Sequence, residues 1–165
     1  MKRILTLICL LLSTSFIMGY SISIKMYKLA PHGPGQFIGT IVAKDWDHGV
    51  LFIPHLHGLP SGVHGFHIHV NPSCADRGLA AGGHLDPLKT NKHLGPYNDK
   101  GHLGDLPVLI VGKNHNATLP VFAPRLTLRD IIGHSIMIHA GGDNYSDDPK
   151  PLGGGGARIA CGVIK

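Results

Sequence analysis

Six histidines and one aspartate lie between residues 67 and 139. They are His67 and His69 in GFHIH, His84 in AGGHLDP, His93 in KHLGP, His102 and Asp105 in GHLGDLP, and His139 in MIHAGGDN. Neutral imidazole is the commonest protein metal ligand, and mixed imidazole and carboxylate sets suit zinc and copper. Seven such side chains are too many for one ion and suit two. The chain holds 13 His, so composition alone supplies some of them. These seven stand out by their setting, in glycine- and proline-marked turns or at one end of an apolar strand.

The spacing gives each a place. In Val63–Val70, side chains of a strand alternate between two faces, so His67 and His69 share a face, about 6–7 Å apart along the strand. His64 has the opposite parity, with Phe66 and Ile68, and is expected to be a structural histidine bonded to backbone. His139 ends the apolar run Ile136-Met137-Ile138, and Ala140-Gly141-Gly142 lets its ring tilt into a site on that rim. His84, His93 and His102 follow one another at nine-residue intervals in loops. Asp105 comes three residues after His102, close enough for both to reach one ion. A second H-x-H, His55 and His57 in PHLHG, also has same-face parity and reads either as exposed hairpin residues or as an extra metal site.

The elements that must position these side chains are strands. Gly (23) and Pro (12) punctuate short apolar runs throughout, and helical periodicity is almost absent. Eight strands are expected, over 21–29, 36–44, 49–57, 62–70, 107–113, 117–123, 134–139 and 157–164. Eight short strands in one domain of this size suggest an all-β sandwich or flattened barrel. Two long loops lack strand character, 71–106 and 140–156. Long irregular loops in a compact domain are usually functional. The first carries four of the seven candidate ligands and is expected to be ordered by metal.

The N-terminus reads as a secretory signal peptide over 1–20: Lys2 and Arg3, then an apolar Ile4–Leu12 run too short to span a bilayer. An uncleaved membrane anchor is the alternative. The domain would then be 21–165, exported, with no stable membrane association. Taking Lys2 and Arg3 from the 15 basic residues leaves 13 against 10 acidic, a net +3. That is too mild and too scattered for nucleic acid. Removing Cys9 with the signal leaves Cys74 and Cys161 as a pair in a compartment where disulfides persist.

GFHIH, AGGHLDP, KHLGP, GHLGDLP, MIHAGGDN-SDDPKPLGGGG and the terminal ARIACGVI together resemble the bacterial, exported copper,zinc superoxide dismutases. The resemblance runs from about Ser21 to the end and is densest over 62–106 and 134–164. It implies an eight-stranded Greek-key β-sandwich of Ig-like type with two long functional loops, a fold that superoxide dismutases are known to share. It implies one copper and one zinc per subunit, superoxide as substrate, and a periplasmic location. It assigns copper to His67, His69, His84 and His139, and zinc to His84, His93, His102 and Asp105, with His84 bridging the two. It gives Asp143 as the carboxylate linking a copper histidine to a zinc histidine, Cys74–Cys161 as the intrachain disulfide, and Arg158 as the arginine at the copper channel. Lys89 and Lys92 are further guidance candidates. A homodimer is left open.

Two other functions compete. A sandwich that buffers copper and zinc without turnover would have lost ligands or the channel arginine, whereas this chain keeps all of them. A zinc hydrolase would need an open coordination position and a nearby general base. The His3Asp set leaves no open position, and there is no H-E-x-x-H motif.

Overall fold

The computed structural model describes residues 20–165. Residues 1–19 of the segment read as a signal peptide, including Cys9, lie outside the described residues.

Alternating side chains build the first meander. β1 (Ser21–Ala30) buries Ile22, Ile24 and Met26 and exposes Ser21, Ser23 and Lys25. β2 (Gly33–Trp46) and β3 (Gly49–His57) follow as antiparallel neighbours. β4 (Gly62–His64) and β5 (Phe66–His69) come next, then β6 (Leu109–Val111), β7 (Asn116–Ala117), β8 (Val121–Ala123), β9 (Ser135–His139) and β10 (Arg158–Val163). The main sheet runs β5-β9-β10-β1-β2-β3-β7, with β8 also on β3, while β4 and β6 form a separate pair.

The sheet is curled, because strands far apart in its order meet face to face. Phe52 on β3 and Phe66 on β5 pack edge to face with ring centroids 5.9 Å apart. Both belong to one apolar core with Ile24, Ile41, Ile68, Ile136 and Ile138. Burying a Phe or Ile side chain contributes roughly 1.5–3 kcal/mol, so this interior carries the fold.

The expected strands are all present, with three differences. The run 62–70 breaks at Gly65, whose N–H donates to Gly141 and whose carbonyl accepts from the His139 N–H. The chain thereby switches from the two-stranded sheet to the main one just before the first metal-type histidines. The run 117–123 divides into β7 and β8 around Leu119-Pro120, since proline cannot donate to a ladder. A single helical turn, α1 (Leu128–Ile131), was not expected. Thr127 and Asp130 cap it reciprocally.

Cys74 and Cys161 form a disulfide, with Cα atoms 5.8 Å apart and a separation of 87 positions in sequence. By chain entropy such a cross-link stabilises by roughly 4–5 kcal/mol. It ties the start of the long loop to β10. We therefore expect chelation and reduction together to lower the melting temperature by more than the sum of either alone, measured by calorimetry. Simple additivity would show that the bond and the metals restrain different parts of the chain.

Candidate metal centre

The 71–106 loop is not held by ions alone. One edge of β5 pairs with β9, and its other edge is continued by the loop. Ile68 N–H donates to Gly104 O, Leu85 N–H to Ile68 O, Leu106 N–H to Phe66 O, and Val70 N–H to Gly83 O. Leu85 and Leu106 are buried in the core. This backbone ladder sets His84 opposite His69 and Asp105 opposite His67. The expectation of a loop ordered by metal is thus modified: part of it is ordered by the free edge of a strand.

The result is two groups of four side chains. His67, His69, His84 and His139 offer nitrogens that all lie within 4.8 Å of one another, and so do the ligand atoms of His84, His93, His102 and Asp105. All are buried. His84 belongs to both groups, one ring nitrogen facing each. Its Nδ1 is 2.9 Å from Asp105 Oδ1; His93 Nδ1 is 3.0 Å from Asp105 Oδ2 and His102 Nδ1 3.4 Å from Asp105 Oδ1.

Each of the six rings has one buried nitrogen without a hydrogen-bond partner: His67 Nδ1, His69 Nε2, His84 Nε2, His93 Nδ1, His102 Nδ1 and His139 Nε2. The opposite nitrogen of four rings is fixed. His67 Nε2 and His93 Nε2 each donate to Asp143, at 2.7 Å to Oδ2 and Oδ1. His69 Nδ1 donates to Gly82 O at 2.9 Å, and His139 Nδ1 to Gly156 O at 3.2 Å. Carbonyls and carboxylates only accept, so at the neutral rings of His67, His69 and His139 these contacts put the proton on the outer nitrogen and leave the inner lone pair free. That is the usual outer-sphere arrangement of a metal-binding histidine. A four-nitrogen set suits copper and a His3Asp set suits zinc.

The sequence profile described as "Copper/zinc superoxide dismutase (SODC)" matches residues 38–164. The chain belongs to this family. It is 55% identical to superoxide dismutase [Cu-Zn] 1 of Salmonella typhimurium (strain 4/74), covering 94% of this chain and 93% of that one. Among solved structures it is similar to the Cu/Zn superoxide dismutase from Brucella abortus, with a TM-score of 0.84 and 48% identity, covering 88% of this chain and all of that one. It is also similar to the monomeric copper, zinc superoxide dismutase from Salmonella enterica, with a TM-score of 0.77, 54% identity and the same coverage. Dismutation of superoxide is the activity of the family, with copper and zinc as its metals.

In this superoxide dismutase, burial sets the charge state of the histidines. Burial first, and the neighbouring His84 second, lower the pKa of His67 to about 3 and of His69 to about 2. Burial likewise lowers His139 to about 4, and lowers His84. At His93 burial works the same way, but the Asp105 and Asp143 carboxylates, 3.0 and 2.7 Å from its two ring nitrogens, outweigh it and raise the value to about 9. Burial would raise the carboxyls of Asp105 and Asp143, yet their histidine partners hold both far below the usual range.

Several supporting residues carried no sequence cue. Arg125 donates to Gly95 O, His102 O and Gly101 O and so clasps the zinc-type loop. The Asp147 carboxylate accepts from the His93 N–H, and the Tyr145 hydroxyl from the Val108 N–H. The glycine run explains itself by close approach. A Cβ at Gly153 would lie 2.6 Å from Asp143 Cγ and 2.8 Å from His93 Nε2, and its φ of +70° already disfavours a side chain. His64 is structural, as its parity suggested: its ring nitrogens contact His139 O and Pro60 O.

The mouth lies over His69, His84 and His139. It is a cavity of about 520 Å³, also lined by Arg77, Leu79, Pro151, Leu152 and Arg158. Arg158 stands opposite His139 in the β9–β10 pairing and donates to Gly78 O and, at 2.6 Å, to Gly82 O. Lys89 and Lys92 are exposed but do not line this cavity. His55 and His57 are both exposed on β3, and no third ligand groups with them among the described residues.

Asp143→Asn leaves one of its two histidine contacts without an acceptor. It should weaken metal affinity by ~10–100-fold, read by competition with a chelator. The metal-free protein should also be acid-sensitive. Below pH ~6.5 the unfolded chain protonates His67, His69, His84 and His139, whereas the folded chain does not, so stability falls as pH falls, by up to about 1.4 kcal/mol per pH unit for each group. His93, protonated in both states there, adds no slope. Its contribution is lost only as pH rises towards about 9. Urea titrations of the apoprotein between about pH 7.5 and pH 5.5 check this; a flat profile would count against neutral buried imidazoles.

Proposed function

We propose that His67, His69, His84 and His139 hold the copper of this superoxide dismutase, and that His84, His93, His102 and Asp105 hold its zinc. The observation that carries the assignment is the shared ring of His84, with one nitrogen in each group of four. Copper supplies the one-electron redox cycle that converts two superoxide ions and two protons to O2 and H2O2, and zinc, which has no redox chemistry, supplies charge and structure.

The protein's own groups do the rest. Asp143 holds His67 and His93 together and fixes which nitrogen of each ring is free. Gly82 O and Gly156 O do the same for His69 and His139. His84 Nε2 faces the copper-type group while Nδ1 stays with Asp105, so Nε2 is the atom that can accept a proton and hand it to the reduced substrate. Arg158, held by two carbonyls at the floor of the mouth, docks the anion beside the copper-type group.

The disulfide fits a protein that works outside the cytoplasm, and we propose that segment 1–20 exports it to the periplasm. Among the described residues no helix is long and apolar enough to cross a membrane. Val63 and Ile110, cross-strand partners on β4 and β6, are 50% and 47% exposed. Sedimentation velocity reads directly whether the protein pairs as a homodimer.

The test is the decay of superoxide with the purified protein loaded with one copper and one zinc. Superoxide dismutases are among the enzymes held to approach the diffusional ceiling of ~10⁸–10⁹ M⁻¹s⁻¹, so a second-order constant near that range is expected. Arg158→Gln should lower it by about tenfold while both metals stay bound. Absence of turnover above free-copper controls, with both metals bound, would leave a metal buffer instead.

A further inference from the structure

We infer that His55 and His57 form a further metal site, an open chelate on the outer face of β3 that takes one Cu(II) ion. It is separate from the two buried groups and does not depend on the dismutase reading.

Roles elsewhere account for nine of the thirteen histidines. Six form the two buried groups. Three have rings tied to backbone carbonyls: His64 to His139 O and Pro60 O, His115 to Leu59 O, and His134 to Val70 O. His32, His48, His55 and His57 remain. All four are exposed, and none has a ring hydrogen bond among the described residues. His32 and His48 each stand singly in a turn, one before β2 and one before β3. His55 and His57 are instead two apart on one strand.

That strand fixes the pair. Leu56 lies between them and is buried in the core, so both imidazoles leave on the opposite, solvent face. Neighbouring strands hold both edges there, with His55 opposite Thr40 of β2 and His57 opposite Asn116 of β7. The spacing is that of His67 and His69 on β5, whose rings lie 6.4 Å apart and share one group of ligand atoms. Neither exposed ring loses a contact by turning towards the other, so convergence on an ion costs rotamer freedom alone.

The donors select the ion. Imidazole without carboxylate suits Cu(II), Ni(II) and Zn(II) rather than calcium or magnesium, and Cu(II) heads the Irving–Williams order. No third His, Cys, Asp or Glu joins the pair among the described residues, so water completes the shell. Cu(II) accepts such a mixed nitrogen and oxygen set in square-planar or tetragonal geometry. The Lys28 ammonium approaches Gly58, the next residue, and its charge weakens the hold on a dication. The bound copper is therefore exchangeable.

The experiment uses the protein already carrying one copper and one zinc, dialysed against increasing Cu(II) at neutral pH. Copper and zinc per chain are measured, and electron paramagnetic resonance reads the nitrogen hyperfine pattern of the added ion. Wild type should take up one further copper, bound through two nitrogens, with its zinc retained. His55→Asn and His57→Asn each remove one arm of the chelate. Each should weaken the added step by on the order of 100-fold, because the second ring no longer binds intramolecularly. The double variant His32→Asn/His48→Asn should bind like wild type. Melting temperature and the rate of superoxide decay before titration should be unchanged in all of them. Three results would each overturn the site: no further copper in wild type, uptake matched by zinc release, or uptake that survives in the combined His55→Asn/His57→Asn variant. Equal weakening in the His32→Asn/His48→Asn variant would do so too, since it would mark scattered surface imidazoles.

Discussion

A neutral imidazole has one donor and one acceptor nitrogen, and a buried one must satisfy both. In this protein, hydrogen bonds from the outer nitrogens of His67, His69 and His139 to carbonyls or a carboxylate fix their donors, and the inner lone pairs are left facing each other. A cluster of lone pairs with no proton between them favours a cation. Most of the local architecture serves that constraint. The Asp143 carboxylate ties one ring from each group, glycines at 153 and 155 let the second loop approach His93 and His139, and the β5 edge brings His84 and Asp105 into register.

The division of labour between core and site follows from the same economy of polar groups. Phe66 and Ile68 point into the apolar interior while His67 and His69 point out of it, so one four-residue strand belongs to both. Two of the candidate ligands are therefore mounted on a strand that also carries core residues. Loops contribute the remaining ligands, but these loops borrow a strand's hydrogen bonds to do so.

Much of this was readable from the sequence, because period-two alternation is local. It separated His67 and His69 from His64, placed the strands to within a few residues, and left the ligand-bearing loops as the stretches without alternation. The ordered motifs then gave the family and, through it, Asp143 and Arg158. What alternation could not show was anything that depends on a distant backbone atom. The break at Gly65 answers to Gly141 and His139; Arg125 reads as an ordinary loop cation until its three carbonyl acceptors are seen; α1 is too short to have a period. Lys89 and Lys92 drew attention by sequence position although the mouth lies elsewhere.

The disulfide gives this chemistry a time and a place. Cys74 anchors the segment that runs through Gly78 to Gly82, and that segment supplies the carbonyls that orient His69 and seat Arg158. With the two thiols free, the segment loses its tether and those carbonyls lose their fixed positions. A chain still in a reducing environment would thus have its core without a finished entrance. One cysteine pair shapes the entrance from a distance, through carbonyls that neither cysteine touches.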